Sequence, residues 1–337
     1  MLPPDEVQRT CRGTYSCAVE LGQEYSGFAT SMRSRIIGYE KRFPLAPVSE
    51  GKELARIPYP PKELAAVYGV RTAKTRRTIQ MAEMPIDIAY PPAAEALSLR
   101  VAVGACRFAA RPGDGDTWIA GTYHDPTDKR TPRVLDEGSS VTITEAEPSF
   151  ERIPSVFGGV PRYELQFGKQ RPFALTIETG ASEFDLDLGG VPLRRLAVRQ
   201  GAGKFELSFS APNPEPMEAL EVSSGAAGIE LGELANANFS EMRISGGAAG
   251  YGLDFGGVLS RDARVSIETG LSGVEISVPA STAARIFTET TLGRVDVGDG
   301  FTKREGAFLT EGVVSGGTPV LEIRAGVRLG ALQLRVT

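Results

Sequence analysis

Histidine, tryptophan and cysteine are nearly absent from this chain. A single histidine stands among 337 residues, so no site built from several imidazoles, catalytic or metal-binding, can be assembled. Three cysteines, Cys11, Cys17 and Cys106, make no disulfide framework. A C-x5-C pair without further Cys or His is no zinc signature, and inert thiols are expected. No run approaches 18 apolar residues, which argues against a transmembrane helix. The N-terminus also lacks the basic start, apolar core and small-residue cleavage site of a signal peptide. Positive charge is not in excess: the net charge is −5, which gives a nucleic-acid partner no electrostatic encouragement. The charge is unevenly spread. Residues 1–85 hold 13 Lys and Arg against 9 Asp and Glu, a balance of +4, so the remaining residues carry −9.

Glycine is abundant, at 39 residues, and much of it belongs to a repeat. The phrase Leu175-Thr-Ile177-Glu-Thr-Gly180-Ala-Ser-Glu-Phe184-Asp-Leu186 recurs with its glycine at Gly201, Gly225, Gly247 and Gly270. The spacings of 21, 24, 22 and 23 residues are those of a stacked-repeat architecture. Four residues after each glycine stand Phe184, Phe205, Ile229, Tyr251 and Val274, and six after it Leu186, Leu207, Leu231, Leu253 and Ile276. A second pair of apolar columns precedes the glycine. Apolar residues two apart mark strands with one buried face, so each copy reads as strand, glycine turn, strand. The glycines are expected to supply φ > 0 at the bend. Such a unit cannot bury its apolar row alone and must stack on its neighbours. The fold expected is all-β: a β-solenoid of about 22-residue two-strand coils. An antiparallel sandwich is the competing architecture, but stacked columns that keep their chemical type favour the solenoid. The pattern continues over 286–297 with Thr291 in the glycine place, and Leu321 to Gly326 restarts it.

Residues 1–85 follow a different grammar, with no sustained period and prolines at 44, 47, 58, 60 and 61. They read as an irregular leader, and 86–337 as the solenoid domain, clearest over 175–297. The basic run Arg71–Arg77 is too sparse for a polybasic membrane or nucleic-acid arm. Leu97 to Phe108 matches the repeat around Gly104, and the strand-like pieces before Gly180 fill at least two longer, looped layers.

Candidate chemistry is thin. His124 beside Asp125 is half of an acid–base apparatus, but neighbours on a strand point to opposite faces. Asp114-Gly-Asp116 and Asp296-Val-Gly-Asp299 lack the ligand pattern of a calcium loop and read as turns. Gly201-Ala-Gly203, Gly246-Gly247 and Gly256-Gly257 precede strands rather than the helix a phosphate loop requires. No cofactor, metal site or catalytic residue is expected. The most specific polar feature is a column five residues after the glycine: Asp185, Glu206, Glu230, Gly252, Glu275 and, after Thr291, Asp296. It should face outward, as a solubilising strip or as a strip that binds a divalent cation or a basic partner.

The Gly/Ala-rich turns, with Asp185-Leu-Asp-Leu-Gly-Gly190, Leu231 to Phe239, Gly246 to Phe255 and Ile267 to Gly273, resemble the bacterial toast-rack domains. These are adhesin-like β-solenoids similar to the C-terminal domain of cell-wall-active-antibiotic response proteins. The resemblance spans 86–337. It implies a non-enzymatic binding or scaffold surface at the cell envelope, facing protein or cell-surface glycan, and carries no catalytic residues over. Members often sit behind a signal, lipid anchor or helical segment, which residues 1–85 do not display. The rival function is a polysaccharide lyase or hydrolase on a β-helix, using Asp185, Asp187, Asp254, Glu206 or Glu230 with Arg199 or Arg243. Open strands at the solenoid ends also suggest self-association.

Overall fold

The computed structural model describes residues 83–92, 96–126, 131–145 and 159–337. Cys11, Cys17, the basic run and nearly all of the predicted leader lie outside them. The described residues belong to one compact unit, Gln80–Thr337.

Five long strands follow one another: β8 (Phe173–Asp187), β9 (Leu193–Ser208), β10 (Met217–Gly232), β11 (Phe239–Asp254) and β12 (Ala263–Val278). Each pairs in parallel with the next. The offsets are those of the sequence columns, so Phe184 lies beside Phe205, Phe205 beside Ile229, Ile229 beside Tyr251 and Tyr251 beside Val274. Stacking like on like builds continuous apolar rows inside the coil. Phe108, Phe184 and Phe205 form one such row, with ring centroids 5.4 and 5.6 Å apart.

Each strand is unbroken through its glycine, yet the alternation of buried residues changes phase there: 175 and 177 are buried before Gly180, 184 and 186 after it. The strand therefore turns a corner and keeps the same inside. Across that corner Thr179 Oγ1 lies 2.8 Å from Ser182 Oγ. The corner glycines do not have positive φ, contrary to the reading from sequence. Their reason is proximity between layers. A Cβ on Gly201, Gly225, Gly247 or Gly270 would lie 2.6 to 2.9 Å from the carbonyl oxygen of the corner glycine one layer below.

The opposite ends of the coils are closed by buried asparagines. Asn213 Nδ2 donates to the carbonyls of Leu193 at 2.8 Å and Ala237 at 3.1 Å, and its Oδ1 accepts from Leu193 and Glu215 N–H groups. Asn236 bridges Phe209 O and Val258 N in the same manner. Side-chain amides here satisfy backbone groups that the turning chain leaves without ladder partners.

Below β8 the two legs of the coil are built from separate strands. β2 (Leu97–Val103) and β3 (Cys106–Pro112) pair with its first and second legs, with Gly104 level with Gly180. β6 (Ser140–Glu145) and β5 (Pro132–Asp136) extend the first leg. β7 (Arg162–Phe167), β4 (Thr117–His124) and β1 (Glu83–Ala89) extend the second.

The C-terminal end departs from sequence order. β16 (Val320–Val336) inserts between β12 and β13 (Ala283–Val297). The last coil in space is therefore β13, topped by a hairpin of β14 (Thr302–Arg304) and β15 (Ala307–Leu309). Arg328, not Gly326, takes the corner of β16, since Val327 and Leu329 are level with Thr269 and Leu271.

Candidate ligand-binding face

The outer face of the second leg carries four rows, because every second residue after the corner points outward. Nearest the corner runs an apolar row of Ala181, Ala202, Ala226, Ala248, Leu271, Leu329 and Leu292, all exposed or half-buried. Next comes Glu183, Lys204, Gly228, Gly250, Gly273, Ala331 and Arg294. The acidic row follows, and then Asp187, Ser208, Gly232, Asp254, Ser277 and Arg335. Gly228, Gly250 and Gly273 floor a shallow groove of about 740 Å³, with Glu206, Glu230 and Glu275 along one side.

These three glycines differ from those of the corner. Each sits mid-strand, exposed, without positive φ, and a Cβ on any of them would meet no heavy atom within 4 Å. Neither the turn nor the packing asks for glycine there. The sequence reading missed this strip because it took every glycine for a turn; the signal was present as Gly at plus three in three successive copies.

The acidic residues occupy one row, but not as bare neighbours. Asp185, Glu206 and Glu230 are successive, Gly252 interrupts, and Gln333 of the inserted β16 separates Glu275 from Asp296. The contiguous run expected up to Asp296 is corrected by that insertion. Cations from adjoining rows neutralise most of the acids. Arg111 pairs with Asp185, Lys204 with Glu206, Arg335 with Glu275 at 3.0 Å and Arg294 with Asp296 at 2.7 Å. The hydrogen bond to Glu206 holds the Lys204 ammonium above its ordinary range, with Glu183 and Glu230 adding to it. The carboxylate of Glu230 lies over Gly252, where a Cβ would come 1.9 Å from its Oε2. Among the described residues, no three His, Cys, Asp or Glu side chains gather into a group that could hold a metal ion.

The residues of the enzyme reading fall apart. Arg199 pairs with Glu178 at 2.8 Å and Arg243 with Glu241, both on the outer face of the first leg. The acids stand on the second leg. Asp187 is occupied as a turn cap, accepting from Gly189 N at 2.9 Å, Ser210 N at 3.1 Å and Ser210 Oγ at 2.6 Å. Burial pushes its carboxyl up, but these hydrogen bonds outweigh that and hold it below the usual carboxylate range. Asp254 caps Gly256 N at 3.0 Å. His124 ends β4 opposite Glu83 and Arg162, with its Nε2 buried and without a hydrogen-bond partner among the described residues, and Asp125 is buried beside it. Asp114 pairs with Lys169 at 2.9 Å, and Asp116 accepts from Gln170 at 2.6 Å. Burial pushes the Cys106 thiol up to about 12, with Glu145 adding to it.

Parallel bent strands, in-register columns and non-sequential closure define a toast-rack β-solenoid. Residues 71–219 match the family model described as the N-terminal domain of toast_rack, DUF2154, and this part of the chain belongs to the toast-rack family. The in-register pairing continues to Val336. No curated protein matches the chain. Similar solved structures include a "putative cell adhesion protein" from Clostridium sporogenes ATCC 15579, 15% identical at a TM-score of 0.40, covering 77% of this chain and 100% of that one. Another is a "putative adhesin" from Bacteroides fragilis NCTC 9343, 7% identical at 0.30, covering 77% and 98%. A third, from Parabacteroides merdae ATCC 43184, is 10% identical at 0.28, covering 76% and 97%. Among the described residues no helix is long and apolar enough to cross a membrane.

Proposed function

We propose that this protein is a binding module of the cell envelope that holds an extended ligand along the second leg and performs no reaction on it. The observation that carries this reading is the strip of Gly228, Gly250 and Gly273. Glycine inside a strand costs stability relative to alanine, and here no local contact or dihedral requires it. A bare backbone at an exposed position lets another chain come close. On one side of the strip the alanine and leucine row offers apolar contact. On the other stand Glu230, Glu206 and Glu275, acceptors for cationic or hydroxyl groups. An extended protein segment with basic and apolar side chains on alternate faces fits both walls.

The test is an array of extended basic–apolar peptides and neutral cell-surface glycans, probed with the full chain and with Gly228→Val/Gly250→Val/Gly273→Val. The wild type should retain basic peptides and the filled variant should not, while both melt cooperatively. If the filled variant keeps the wild-type binding pattern, the strip is not the binding floor. Cell fractionation tests the envelope location separately.

A further inference from the structure

The solenoid is closed unequally at its C-terminal end. β16 covers one edge of β13 along its whole length. On the other edge β15 pairs only with Arg285, Ile286 and Phe287. From Thr288 to Val297 that edge has no strand beside it among the described residues. The inside of the last coil is open there too. Val297 is 38% exposed, whereas Leu334, level with it one layer in, is fully buried. Leu292, 69% exposed, ends the row of Leu271 and Leu329, which are 58% and 47% exposed. The segment contains no proline and no lysine, two common means of blunting an edge.

We propose that this edge pairs, antiparallel, with the same edge of a second copy over residues 288–295. The corner decides which registers are possible. Thr288, Thr290, Gly293 and Val295 hold inward positions, and Glu289, Leu292 and Arg294 outward ones, as their partners in β16 show. A partner strand must match inward with inward on both legs. The register that sets Thr291 opposite Leu292 does this, places corner on corner and uses the stretch that β15 leaves free. It also brings Glu289 of each copy opposite Arg294 of the other. A slide of two residues sets Glu289 against Asp296, acid against acid, which is unfavourable across a strand pair. In a two-fold interface every such contact occurs twice, so the charge complementarity selects a second copy of this chain as the occupant. The glycine strip stays uncovered in this arrangement.

Sedimentation velocity of the full chain, up to about 100 μM, tests the pairing. The wild type should sediment as a dimer. Glu289→Arg and Arg294→Glu, each alone, set like charges face to face twice and should weaken the dimer about tenfold or more. The combined Glu289→Arg/Arg294→Glu chain restores opposite charges and should recover it. A wild type that stays monomeric overturns the proposal, as does Glu289→Arg dimerising unchanged. A charge swap that remains monomeric overturns the register and with it the choice of partner.

Discussion

Two glycines three residues apart on β11 should respond to the same substitution with opposite sign. At Gly250 a new Cβ meets nothing within 4 Å, and φ is not positive. Alanine there removes the conformational freedom of glycine in the unfolded chain without strain in the folded one, a gain of about 0.5–1 kcal/mol. At Gly247 the Cβ would stand 2.7 Å from the carbonyl oxygen of Gly225. That oxygen is backbone held in a parallel ladder on both sides, so neither layer can yield without opening the corner. Overpacking of this kind costs about 1–3 kcal/mol, well above the entropic gain. Urea denaturation monitored by circular dichroism reads both signs on one chain, provided the slope of the transition is unchanged. The pair should differ by at least about 1 kcal/mol. A destabilising Gly250→Ala would mean that the strip serves the fold, and a neutral Gly247→Ala would refute close layer approach as the reason for the corner glycines.

Asn213→Ala should cost about 2–4 kcal/mol in the same assay, because it leaves the carbonyls of Leu193 and Ala237 and the Leu193 N–H buried without partners; a loss under 1 kcal/mol would mean that water replaces the amide. Acid should weaken the fold through Glu178 and Asp187. The Arg100 hydrogen bond, with Arg199 adding, holds Glu178 below its usual range despite burial, and the Ser210 and Gly189 hydrogen bonds do so for Asp187. Folded values below unfolded ones give stability that is present above about pH 4 and lost as pH falls through the lowered values. Asp187→Asn should flatten that decline, and an unchanged acid slope would remove Asp187 from the account. Residues 80–337, expressed alone, should melt cooperatively at the temperature of the full chain; insolubility would place residues 1–79 within the fold.

The body of the solenoid was legible because its period writes one layer per copy. Once the glycines are aligned, Phe184, Phe205, Ile229, Tyr251 and Val274 declare a buried row, and the observed pairing follows that alignment residue for residue. Three things were not legible. The cause of the corner glycines lies between layers, in a carbonyl 21 to 24 residues away, whereas a local reading sees only a turn. The insertion of β16 before β13 is a choice of stacking order, and both strands carry the same columns, so either order satisfies the pattern. The cations that neutralise the acidic row come from adjoining rows and from Arg111, 74 residues before Asp185. The polar closure by Asn213 and Asn236 was hidden as well, since asparagine in a turn normally reads as exposed.

The acidic row gives a prediction in which the pairing pattern matters more than the total charge. Lys204 satisfies Glu206 and feels Glu230 and Glu183 as well, so one cation serves several acids at this end of the groove. Glu206→Gln removes the closest of those acids and the ion pair together, and these surface effects largely cancel. Glu230 has no cation within ion-pair distance among the described residues, and Glu206 is its register neighbour. Glu230→Gln therefore relieves like-charge repulsion of a few tenths of a kcal/mol and loses little. The expected order of melting temperatures is Glu230→Gln above the wild type, with Glu206→Gln level with it. Millimolar calcium should move none of them, since no three carboxylates converge along the row. A row that binds calcium would behave otherwise: the wild-type melting temperature would climb with calcium by mass action, and Glu206→Gln/Glu230→Gln would abolish the climb. That outcome would make the groove a cation site and displace the basic peptide as its ligand.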